Sequence, residues 1–196
     1  SIAELRTGLA MPTRVAELYE TAANAMLARA ARPPSADARA LLQATFFAAH
    51  TEQQRVITAA HLDAAAQRVG VGSAVAELRA LVADDQLPLL RLLQKEPLEL
   101  QAFHLSLQEF YAMWALHDGA KLPGFAWSPW WTNAVLMGVQ TGDAFGEAFA
   151  FSAGLAPGEG WRLRVAAALV AEGLPAAWLS VAPAGARGAR AAAARR

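Results

Sequence analysis

Apolar residues in the first half of the chain return every three or four positions, the spacing that places them on one face of a helix. Val15, Leu18, Tyr19, Ala22 and Met26 predict a first helix, which ends before Pro33-Pro34. Ser35 offers an N-cap to a second helix carrying Ala38, Leu41, Leu42, Thr45, Phe46 and Ala49. Thr58 does the same for a third helix with Leu62, Ala65 and Ala66, which Gly70 stops. Ser73 opens a fourth, with Val75, Leu78, Leu81 and Val82 turned inward. The period then changes to two: Leu98, Leu100 and Ala102 alternate with Glu99 and Gln101, the pattern of a half-buried strand. Leu89-Leu90-Arg91-Leu92-Leu93 lies just upstream, across Lys95-Glu96-Pro97, and completes a hairpin, although a leucine run also suits a helix.

Helical spacing resumes in the segment Phe103-His104-Leu105-Ser106-Leu107-Gln108-Glu109-Phe110-Tyr111-Ala112. Ser106 and Glu109 have the spacing of a capping box, Leu105 and Phe110 that of the accompanying staple. Leu107, Phe110, Tyr111, Trp114 and Ala115 form the apolar stripe, and His104 stands just outside the helix start, where free amides and the helix dipole favour anions. Ser128-Pro129 begins a further helix that buries some of Trp130, Trp131, Val135 and Met137. Another helix follows Gly142-Asp143 with Phe145, Ala148 and Phe149, and a last one runs from Trp161 to Glu172, ending at Gly173. From Ala182 the chain reduces to Ala, Gly, Pro and Arg, including Arg187, Arg190, Arg195 and Arg196, and lacks the apolar side chains that would order it. Leu122 to Gly142 carries no charge, but Pro123, Gly124, Pro129, Asn133 and Gln140 interrupt it, so it reads as a buried helix rather than a membrane span.

With 196 residues, 55% of them hydrophobic, the chain can bury a sizeable core as one compact domain or two small ones. Its formal net charge of zero argues against nucleic acid, and so does the fourth helix, where Arg79 stands against Glu77, Asp84 and Asp85. The absence of cysteine excludes disulfides, thiolate metal sites and cysteine catalysis, and an intracellular, cytoplasmic location is the expectation. The chain starts at Ser1 without the features of a signal peptide and reads as part of something longer. No G-x-x-x-x-G-K-[ST] run is present, and Leu81-Val82-Ala83-Asp84-Asp85 has the period of a helix end rather than of a Walker B strand. Ser106 lies in no nucleophile elbow. His50 and His61 lack the spacing of metal ligands, and His61-Leu62-Asp63 reads as a helix surface. Trp127, Trp130 and Trp131 suit packing between helices better than a ligand box.

The string Phe-His-Leu-Ser-Leu-Gln-Glu-Phe at 103–110 resembles the winged-helix segment of NACHT-type STAND NTPases, the signalling ATPases that include NOD-like receptors. Thr13-Arg14-Val15-Ala16-Glu17-Leu18-Tyr19 looks like the helix that closes the small helical domain before it, so that the resemblance covers roughly residues 10 to 155. It implies a mainly α fold: a helical bundle with a winged-helix subdomain of three helices and a short hairpin wing, then further helices. The implied boundaries are 1–34 for the end of the small helical domain, 35–118 for the winged helix, 119–181 for part of a second helical domain and 182–196 for a disordered tail. In that family the histidine matching His104 contacts the β-phosphate of ADP and helps hold the inactive state. The resemblance thus implies a regulatory, non-catalytic region that binds no cofactor by itself and meets ADP or ATP with Mg in the intact protein. Its expected partners are an upstream nucleotide-binding domain and, on activation, other copies or other proteins, with no nucleic acid and no membrane. A helical scaffold or interaction module without nucleotide dependence is the alternative.

Overall fold

The computed structural model describes residues 14–30, 32–122, 128–141 and 143–153. The expected helix from Trp161 to Glu172, the tail from Ala182 and Trp127 lie outside the described residues. The architecture is mainly helical with one small sheet: α1 (Val15–Ala28), α2 (Ala36–Thr51), β1 (Val56–Thr58), α3 (Ala59–Val69), α4 (Ala74–Ala83), β2 (Leu90–Gln94), β3 (Glu99–Ala102), α5 (Leu105–His117), a 3-10 turn (Pro129–Trp131), α6 (Thr132–Thr141) and α7 (Asp143–Ser152).

The helix α2 lies at the centre. Its apolar positions run around most of its circumference, and Leu41, Leu42, Phe46, Phe47 and Ala49 are all buried, because α3, α4 and α5 each pack on a different side of it. Ser35 caps it as expected, its Oγ accepting the Ala38 N–H at 3.1 Å. The carboxylate of Glu77 on α4 takes both the backbone N–H and the hydroxyl of Ser35, which joins the start of α2 to α4 and lowers the pKa of Glu77. Gly70 ends α3 in the left-handed region, φ 72°, where a side chain would be strained. The helix α4 ends at Ala83 with Asp84 as its C-cap, so the acidic pair at Asp84-Asp85 closes a helix rather than a strand.

The expected hairpin forms, and a strand that the pattern did not announce joins it. β3 is the middle strand of an antiparallel sheet ordered β1-β3-β2, with Leu100 opposite both Ile57 and Leu92. An irregularity between Leu92 and Gln94 turns Leu93 outward, leaving it 49% exposed. α5 leaves β3 almost at once and packs against α2, α6 and α7. α6 and α7 meet closely at Gly138, where the ring of Phe145 occupies the position a Cβ would take.

Several local expectations need correction. The inner face of α1 is Ala16, Ala23 and Leu27, with Tyr19 and Met26 beside it, while Val15 and Leu18 point out at 43% and 54% exposure. Among the described elements α1 packs mainly on α5 and α6, so a narrow alanine stripe suffices. His61 is buried instead of lying on a helix surface; its Nδ1 accepts the backbone N–H of Thr58, the part a Glu or Gln plays in a capping box. Ser73 and Ser128 precede their helices without a side-chain cap bond, and the helix at Ser128 opens as a 3-10 turn.

Candidate functional site

The sheet hands the chain to α5 through Phe103 and His104. The Phe103 N–H donates to the Leu89 carbonyl at 2.9 Å, while its ring stays 59% exposed. His104 is exposed too, and it, rather than Ser106, is the N-cap of α5: its extended backbone turns the imidazole back so that Nδ1 accepts the Ser106 N–H at 3.3 Å and meets the Ser106 hydroxyl at 2.5 Å. The capping box expected at Ser106 and Glu109 therefore does not form: the N-cap lies two residues earlier, and Leu105 becomes the first helical residue instead of a staple.

This arrangement fixes the chemistry of the ring. An Nδ1 that accepts a backbone N–H has no proton, so the neutral ring carries its proton on Nε2, which faces away from the helix as a donor. The amides expected to attract an anion are already engaged: Ser106 N–H by the ring and Leu107 N–H by the His104 carbonyl at 3.0 Å. What His104 presents to a ligand is one outward N–H, not a helix-terminus nest.

Glu109, freed from capping, turns into the protein. It is buried, and Asn133 of α6 donates its amide to both carboxylate oxygens at 3.2 and 3.4 Å. Burial raises its pKa, and the bond from Asn133 opposes that rise. Gln108 beside it is also buried and donates to the Gln54 carbonyl at 2.8 Å. The signal for both was present in the sequence: from Phe110 to Leu116 α5 is apolar at every position, so no solvated face is left for polar residues of its first turns. Asn133 carried no such signal, because its role depends on where α6 lands.

His50, at the end of α2, is fully buried against both tryptophans, stacked on Trp130 at 5.1 Å and edge-on to Trp131 at 4.5 Å. The Trp130 Nε1–H donates to the His50 carbonyl, so these aromatics clamp the 3-10 turn onto α2 as interhelical packing. Neither ring nitrogen of His50 has a hydrogen-bond partner among the described residues, and burial lowers its pKa from 6.5 to about 3. His50 and His61 do not come together on a metal: among the described residues no group of three or more His, Cys, Asp or Glu could hold one. Among the same residues no helix is long and apolar enough to cross a membrane.

No family model, no curated protein and no solved structure matches the chain.

Proposed function

We propose that this chain is a regulatory, non-catalytic region of a NACHT-like signalling NTPase, a lid that senses the bound nucleotide through His104 and swings aside to allow self-association. The observation that carries the reading is the setting of His104: exposed at the end of the hairpin, held by its own cap through Nδ1, with Nε2 left to donate outward. A single oriented donor of that kind suits a phosphate oxygen of ADP or ATP, with Mg and the phosphate-cradling loop supplied by an upstream nucleotide-binding domain. The order α2, β1, α3, α4, β2, β3 with strand order β1-β3-β2 supports a winged helix over these elements. DNA is not the partner this reading selects, because Arg79 on α4 is drawn to Asp63 at 3.9 Å and the rest of that helix is acidic or apolar.

Such a lid responds to nucleotide only if it binds one state more tightly than the other. His104 supplies that difference by touching phosphate in the closed state alone. The test separates this contact from capping. Asparagine is a good N-cap but places no donor where Nε2 lies, so in the intact protein His104→Asn keeps the stability of α5 and accelerates ADP release, by about tenfold for one lost charge-assisted bond. His104→Ala accelerates release as well and also costs about 1 kcal/mol of stability. ADP release unchanged in both variants removes the sensing role and leaves His104 as a cap in a helical interaction module.

A further inference from the structure

Away from His104, a cavity of about 420 Å³ opens between α2, the end of α3 and the turn that follows α5. Ala40, Ala44, Ala115 and Ala120 give it a shallow apolar lining of methyl groups, and its polar groups are Gln43, Arg68 and Asp118. The acid has a partner of its own within the cleft. Asp118 accepts from the Gln43 amide at 3.0 Å on one oxygen and lies 3.6 Å from the His117 ring on the other.

The cation is not. Arg68 donates one N–H to the Ala44 carbonyl at 2.7 Å and lays its guanidinium over the Phe47 ring, 4.9 Å from its centroid. Those two contacts fix the plane of the group but use only one of its five N–H donors. Among the described residues no carboxylate pairs with it. The cleft thus holds, at its exposed rim, an oriented positive charge beside an apolar lining, while its own acid pairs with Gln43 instead of with Arg68.

We propose that this cleft binds a small organic carboxylate, whose head pairs with the fork of Arg68 while a short aliphatic body lies on the alanines. An oriented guanidinium recognises a carboxylate through parallel N–H···O bonds. A cavity of a few hundred Å³ suits a small molecule.

Hexanoate, 1-hexanol and hexylammonium, titrated into the full chain and followed by NMR, test the assignment. Hexanoate is expected to give saturable shifts at Ala40, Ala44 and Ala115 that the alcohol and the amine do not give. Arg68→Gln should weaken hexanoate by about tenfold or more, the loss of a charge-assisted pair. Ala40→Leu, at an exposed position on the cavity wall, should abolish the shifts by filling the space without touching the core, and so holds the test open if Arg68→Gln does not fold. Equal response to hexanol, an Arg68→Gln titration like the parent's, or shifts confined to other surfaces would overturn the proposal. So would a short polyglutamate peptide binding more tightly than hexanoate, which would make the site a peptide groove.

Discussion

At the scale of single residues, burial decides what each histidine can do. His104, exposed and bonded through Nδ1, turns its other nitrogen outward; His61, buried, completes the cap of α3; His50, buried without a hydrogen-bond partner for its ring among the described residues, is held neutral by desolvation. For His50 the unfolded ring titrates near 6.5 and the folded one near 3. Stability is therefore complete above pH 6.5 and drains away as pH falls toward 3, because the unfolded chain takes up a proton that the folded one refuses. The slope is at most about 1.4 kcal/mol per pH unit. Urea unfolding at about pH 7.5 and about pH 5.5 should show the loss, and His50→Phe, which keeps a ring between the tryptophans but cannot ionise, should flatten it. An equal slope in the variant would assign the acid sensitivity to another group.

At the scale of elements, period and caps were read well where a helix had one wet side and poorly where it had none. α2 starts where Ser35 predicts and α3 runs between Thr58 and Gly70 as expected. The hairpin follows from the alternation at Leu98 to Ala102. The start of α5 differs from its pattern: Ser106 and Glu109 satisfy a capping spacing, yet burial of Glu109 gives it to Asn133 of α6 and leaves His104 to cap. β1 escaped notice because its 3 residues are too few for an alternation, and pairing with β3 makes it a strand. The junction of α6 with α7 is equally invisible in sequence, since Gly138 reads as a helix weakness when it is the seat of Phe145. Gly→Ala inside a helix ordinarily stabilises by up to about 1 kcal/mol. Gly138→Ala should instead lower the urea midpoint, at a cost of about 1–3 kcal/mol, because the methyl displaces that ring. A raised midpoint would mean that the ring moves freely.

At the scale of the whole molecule, the mainly helical class was legible because apolar periodicity extends over most of the chain, while the site was legible only as a residue type at a helix start. The tautomer of His104, the buried acid behind it and the spare guanidinium of Arg68 all depend on contacts between distant segments. Balanced charge, with a sequence pI near 6.9, predicts minimum solubility close to neutral pH, and turbidity followed across pH will show whether the minimum falls there. The join between sheet and helix bears on movement at the same scale. β3 passes into α5 through Phe103 and His104, one tied by its amide to Leu89 and the other folded onto the first turn of the helix it starts. Only these two residues separate the strand from the helix. The hairpin and the helix that packs on α6 and α7 thus share one short hinge pin, with the imidazole seated on it.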